Sequence, residues 1–300
     1  MMFFNRLFHR KSRMPAILVS SPGAENEIVD DRRRLTDAPY FLPKDEEEDG
    51  RLFLQHKALY AAMGNHYLAP IRPDIANILD VGTGTGVWPV DMSRLFPQAH
   101  IVGMDISSLS FRYSSSSACT FLCGNVLTGL PFPDQQFDFV HQRLLVAGIP
   151  TANWPGVIRE LVRVTRPGGW VELLEVGITV KNAGPETTRL LTWMANRSRE
   201  RGFDLGILPE LGDLLVHAGL QAVETQNIPA PLGEWAGRVG AMLKTDVLSA
   251  FHAVKGVYCT QANLPPDQFD AWVKIVAEEW EQRRASYVFH AAYGKRAPTK

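Results

Sequence analysis

The chain has 300 residues, with 31 Lys plus Arg against 32 Asp plus Glu, and this balance argues against a protein held on nucleic acid by a basic face. Apolar residues make up 45% and charged residues 21%, a composition that can bury a core instead of staying disordered. Cys119, Cys123 and Cys259 are too few for a disulfide framework and match no zinc spacing, and the longest uncharged stretch, 113–133, carries serines, glycines and prolines where a membrane helix needs about 20 apolar residues.

These exclusions leave a soluble, cytoplasmic protein with no metal site and no integral membrane segment as the expectation. Residues 1–24 carry Arg6, His9, Arg10, Lys11 and Arg13 with no acid before Glu25, interleaved with Phe3, Phe4, Leu7 and Phe8. They are expected to be a disordered tail, an organelle-targeting or membrane-surface helix being the alternative. Residues 25–74 read as a separate N-terminal helical segment. Asp45 is its predicted N-cap, with Glu48 three residues on as in a capping box, acids in the first turn and Gly64 as the stop. Leu52, Leu54, Leu59, Tyr60 and Met63 give the apolar stripe, and Pro70 and Pro73 mark a linker.

From Asn77 the period changes. Ile78 to Val81 is a short apolar run that ends in Gly82-Thr83-Gly84-Thr85-Gly86, and Val87 to Phe96 reads as a helix. His100 to Met104, Phe121-Leu122, Phe137 to His141 and Trp170 to Val176 read as further strands, and Pro155 to Thr165 as a helix. Strands alternating with helices predict a parallel sheet covered on both faces. Helices follow at Pro185 to Arg201 and Pro209 to Ala218, a strand at Gln221 to Gln226, two more helical stretches within about 229–284, and a last strand at Tyr287 to Tyr293.

The glycine turn joins a strand to a helix, where backbone can approach a ligand at the carboxyl edge of the sheet. A dinucleotide fingerprint would place its third glycine at position 87, which is Val87, and no Gly-Lys-Ser/Thr ending makes a phosphate loop. Asp105, 19 residues after Gly86 at the end of the next strand, can accept hydrogen bonds from both hydroxyls of a ribose.

Ile78 to Gly86 resembles motif I of the class I S-adenosylmethionine-dependent methyltransferases. Further segments resemble that family's later motifs in order: Asp105-Ile106, Gly124-Asn125-Val126, Leu130 to Pro133 with Phe137 to His141, and Arg166-Pro167-Gly168-Gly169-Trp170. More narrowly, Asp37 to Pro43, Arg51-Leu52 with Gln55-His56, Thr85 to Trp88 and Phe137 to Arg143 resemble the LaeA-like group associated with fungal secondary metabolism. The resemblance implies an α/β, Rossmann-like, doubly wound sheet of seven strands whose last member is antiparallel. In this layout residues 75–300 are the methyltransferase domain, and the N-terminal helix and a helical insertion between the last two strands form a lid. It implies S-adenosyl-L-methionine as cofactor, held by Tyr40, Gln55, Asp80, Gly82, Thr83, Gly84, Gly86, Asp105, Ile106, Asn125, Val126, His141 and Gln142. The serine-rich stretch after Ser107 departs from the family's pattern, which has a full helix there.

Methyl transfer from a sulfonium needs alignment, and a general base only where the nucleophile must lose a proton. His141, at the end of the fourth strand, is the candidate base; the alternative is that only its backbone lines the pocket. His56 is a second candidate, against an ordinary packing role. Glu172 and Glu175 differ by three and point to opposite faces of a strand, so they cannot act as a pair. Arg143, with Gln142, could bind a carboxylate of cofactor or substrate, or be a solvated charge. Trp193, Met194, Trp235, Met242 and Trp272 could line an apolar cavity or be core. The expected function is methyl transfer to a small, largely apolar acceptor, with a non-catalytic cofactor-binding regulator as the alternative and a nicotinamide-dependent reductase disfavoured by the glycine spacing. The expected partner is a small-molecule substrate, with no nucleic acid; monomer and homo-oligomer both stay open.

Overall fold

A computed structural model describes residues 17–19, 26–29, 32–35, 42–107 and 119–298. The strands are β1 (Ile17–Val19), β2 (Asn26–Val29), β3 (Arg32–Leu35), β4 (Asn77–Val81), β5 (His100–Asp105), β6 (Cys119–Cys123), β7 (Phe137–Arg143), β8 (Thr165–Lys181), β9 (Leu220–Pro231) and β10 (Ser286–Arg296). The α-helices are α1 (Glu46–Met63), α2 (Val87–Leu95), α3 (Trp154–Val164), α4 (Pro185–Glu200), α5 (Leu211–His217), α6 (Gly237–Ala262) and α7 (Pro266–Arg283).

Eight strands form the main sheet, in the order β1-β6-β5-β4-β7-β8-β10-β9, and β2 and β3 form a separate hairpin. Strands β4 to β8 run parallel, and β10 pairs antiparallel with both β8 and β9. The seven expected strands are present with the last one antiparallel. The eighth, β1, comes from within residues 1–24 and extends the edge by pairing with β6. After β6, at one side, the chain returns past β4 to build β7 on its other flank. Strand order therefore reverses between β4 and its neighbours, and a crevice opens beyond the carboxyl ends of the strands there.

Local chemistry explains the elements that carry this crevice. Asp45 caps α1 by accepting from the Glu48 N–H at 3.0 Å, and Gly64 ends it at φ 71°. The capping box closes on one side only, because the Glu48 carboxylate turns to Arg51 instead of reaching back. Strand β8 starts earlier than expected: Arg166 to Gly169 lie within it, with Gly168 at φ 79° and a register shift against β7. The core is split by the sheet. Trp154, Ile158 and Leu161 of α3 pack with Val140 and Leu173, while Leu243, Phe251, Val276 and Trp280 of α6 and α7 pack with Phe289. Trp193, Met194, Met242 and Trp272 pack against that second cluster and Trp235 is exposed, so these five side chains are core and surface and do not line the crevice. The stretch 108–118 and Tyr40 lie outside the described residues.

Candidate cofactor site

The glycine turn is possible only because three residues have no side chain. Gly82, Gly84 and Gly86 sit at φ 72°, 55° and 75°, the left-handed region that other residues rarely enter. A Cβ on Gly82 would also lie 2.4 Å from Leu145 Cδ2. The turn is tied to β5: the Gly82 and Thr83 N–H groups donate to the Met104 carbonyl at 2.8 and 3.0 Å. Gly84 N–H donates to Asp105 Oδ2 at 2.9 Å, and Ser107 N–H to Oδ1 at 3.1 Å. Two backbone donors thus fix the carboxylate at the crevice, where Lys44 Nζ also reaches Oδ1 at 3.3 Å. Apolar side chains around it include Leu42 and Leu52 from the N-terminal segment, Ile106, Val126, the 144–149 loop, Val176 and Ala250 of α6.

Of the expected cofactor residues, Gln55, Gly82, Thr83, Gly84, Asp105, Ile106, Asn125 and Val126 line this cleft. Asn125 uses its Oδ1 to cap the following turn, accepting from Leu127 N–H at 2.9 Å. Asp80, Gly86, His141 and Gln142 stand behind the lining. Asp80 Oδ1 lies 2.7 Å from His141 Nδ1, and the His141 ring stacks on Trp88 at 4.0 Å between centroids and 3° between planes. That packing buries the imidazole, and His141 is not among the residues that line the cleft, so the structure does not support the general-base role expected of it. Gly86 instead opens α2 as its N-cap. Lys44, Arg51 and the 145–149 loop line the cleft without having been expected there. For Lys44 and Arg51 the signal was their place within or beside the family-like N-terminal motif.

His56 is equally far from a base. Its Nδ1 lies 2.8 Å from an Arg143 nitrogen and its Nε2 2.8 Å from Asp91 Oδ2. A guanidinium only donates, so Nδ1 accepts and the proton resides on Nε2. Burial, then the Arg143 charge, pushes its pKa down to about 3, so the ring is neutral. His56, His66 and Asp91 lie close enough to share a metal ion. Asp91 already receives Lys57 Nζ at 3.3 Å and the Arg94 guanidinium, which supply the positive charge such an ion would bring.

The two carboxylates of β8, Glu172 and Glu175, hold backbone. Glu172 Oε2 accepts from Leu68 and Ala69 N–H at 2.7 and 2.6 Å. Glu175 accepts from Leu145 and Val146 N–H, both at 3.0 Å, and so fixes the loop that walls the cleft; burial pushes its pKa up to about 8. On the opposite wall Arg51 donates to both Glu48 oxygens at 2.8 and 2.6 Å and to Asp246 Oδ1 at 2.7 Å. Gln55 Nε2 reaches the same Asp246 at 3.1 and 3.3 Å. This buried cluster fastens α1 to α6 across the top of the cleft.

These residues fit S-adenosylmethionine: a carboxylate aimed for a diol, a glycine cradle that a Cβ would fill, and apolar Ile106 and Val126 for an adenine. The Thr83 hydroxyl, buried at the lining, has no partner among the described residues. A model of the methyltransferase domain matches residues 78–169. The Aspergillus terreus methyltransferase pytC is 29% identical over 65% of this chain and 62% of that protein. The Aspergillus fumigatus N-methyltransferase gliN is 27% identical over 86% of this chain and 96% of that protein. The secondary metabolism regulator laeA of the same fungus is 28% identical over 65% of this chain, which spans 54% of that protein's length. The solved structure of Haemonchus contortus phosphoethanolamine N-methyltransferase 2 with S-adenosyl-L-methionine shares the fold, with a TM-score of 0.50 at 14% identity over 82% of this chain and 57% of that one. Among the described residues no helix is long and apolar enough to cross a membrane. With its glycine turn and a carboxylate placed for a ribose, the chain carries a methyltransferase domain over residues 78–169 and is similar to fungal methyltransferases and to laeA-type regulators of secondary metabolism.

Proposed function

We propose that the protein methylates a small, largely apolar acceptor, and that the methylated atom is an amine-type nitrogen. The observation that carries this reading is the make-up of the cleft. Its walls are mainly apolar, and the ionisable side chains among its described lining are Lys44, Arg51, Asp105 and Arg143. Three are cations, and the one acid is committed to the glycine turn. None can take a proton from an acceptor, so the nucleophile must arrive already deprotonated, as a neutral amine or a carboxylate, and a proton left on a methylated nitrogen passes to water. Likeness to gliN, named an N-methyltransferase, supports nitrogen.

The bound cofactor would supply a methyl group already activated by its sulfonium. The chain's own part is then to orient and to exclude water. Asp105 and the glycine turn set one reactant, the 144–149 loop and Val176 shape the space for the other, and α1 with α6 and α7 cover both as a lid. The test is transfer of labelled methyl from S-adenosylmethionine to a panel of small apolar amines, alcohols and carboxylic acids. Labelled amines are expected. Tight binding of S-adenosylhomocysteine with no label transferred to any class would favour the regulator reading that the likeness to laeA suggests.

A further inference from the structure

We propose that Arg143 holds the carboxylate at the amino-acid end of the cofactor, and that His56, anchored on Asp91, is the positioning residue that keeps the Arg143 charge available for it. This rests on the reading of the cleft as an S-adenosylmethionine site. Asp105 ends β5 and Arg143 ends β7, one strand to either side of the glycine turn that follows β4. At the usual inter-strand spacing the two ends stand roughly 10 Å apart along the crevice. A ligand that places its ribose hydroxyls on Asp105 and crosses the glycines therefore brings its far end to Arg143. In this cofactor that end is a carboxylate.

The state of each cation in the cleft singles out Arg143. Lys44 pairs with Asp105, and Arg51 with Glu48 and Asp246. Arg143 lines the cleft, is partly buried, and has no carboxylate within ion-pair distance among the described residues. Its recorded partner is the neutral ring of His56, with Asp91 one step further away on Nε2. That order matters. Direct contact with Asp91 would cancel the guanidinium charge, whereas a neutral acceptor aims it and leaves Asp80 and Asp91 to act on it only at longer range, with no ion pair formed. Lys57 and Arg94 hold Asp91 in turn and draw its charge away from the cleft. A planar fork with open N–H groups is suited to a carboxylate.

The experiment titrates the full chain with S-adenosylhomocysteine and with 5′-methylthioadenosine, which keeps adenine, ribose and thioether but lacks the amino-acid end. Arg143→Gln should weaken S-adenosylhomocysteine about 10- to 100-fold, the size of a lost charge-assisted hydrogen bond, and leave methylthioadenosine within about twofold. Arg143→Lys, which keeps the charge, should retain more affinity than Arg143→Gln. His56→Leu should show the same selective loss in weaker form, and His56→Gln, with a carbonyl for Arg143 and an amide for Asp91, should restore most of it. Unchanged S-adenosylhomocysteine binding in Arg143→Gln overturns the proposal, as does equal loss of both ligands, the mark of a merely structural role. Binding of neither ligand by the unaltered chain would overturn the cofactor reading itself, a result distinct from either.

Discussion

Asp105 illustrates how much one side chain can decide once backbone has aimed it. Gly84 and Ser107 each donate to one of its oxygens and Lys44 reaches Oδ1 as well, which leaves Oδ2 with one donor and room for a ligand hydroxyl at the cleft. Asp105→Ala should weaken S-adenosylhomocysteine binding by about 2–3 kcal/mol, read by calorimetry on a variant whose fold is checked by circular dichroism. Unaltered affinity would remove the carboxylate from the ribose role. Glu175 makes a different statement, about stability. Its pKa, raised by burial to about 8, lies above the value of 4.5 for the free side chain, so between those pH values the folded chain keeps a proton that the unfolded chain has lost. Stability contributed by this group is therefore full below about pH 4.5 and falls as pH rises towards 8, by on the order of a few kcal/mol. Glu175→Gln cannot ionise; urea unfolding at several pH values should show the variant gaining on the wild type from pH 5 to pH 8, and parallel curves would contradict this. His56 has the opposite sign: with its pKa lowered to about 3, stability is lost as pH falls below about 6.5.

At the scale of elements, the parts that local chemistry specifies were legible and the parts that distance specifies were not. Asp45 and Gly64 announce both ends of α1, and the run from Asn77 into three alternate glycines announces β4, its turn and α2. The hairpin of β2 and β3 has no alternation to read, being Asn-Glu-Ile-Val against Arg-Arg-Arg-Leu. Arg51 and Asp246 are 195 residues apart, and nothing in either local sequence pairs them. His141 was placed correctly at the end of β7, but which side its ring takes depends on Asp80 and Trp88, and these belong to other elements. The α1–α6 cluster yields a prediction at this scale. Asp246→Ala leaves Arg51 with Glu48 but strips one buried partner, and should cost about 2–4 kcal/mol. Hydrogen exchange should then rise in α1 and α6 together. A rise confined to α6 would mean that the cluster does not couple the two helices.

For the whole molecule, the sheet supplies a crevice where strand order reverses, and two segments remote in sequence contribute to its lining. Leu42, Lys44, Arg51, Leu52 and Gln55 come from before β4 and Ala250 from the insertion before the last strand, yet they share one cleft with the glycine turn. A Cβ on Gly84 would stand in ordinary contact, 3.4 Å from Leu52 Cδ1, but at a φ of 55° that side chains rarely adopt. Gly84→Val should therefore abolish cofactor binding through both strain and filled volume, and retained affinity would show that no ligand approaches the backbone there. The most direct test of the account as a whole is calorimetric titration of the full chain with S-adenosylhomocysteine, with a nicotinamide dinucleotide as the comparison. Saturable one-to-one binding of S-adenosylhomocysteine with no heat from the dinucleotide is the predicted result; no binding of S-adenosylhomocysteine, or preference for the dinucleotide, would contradict it.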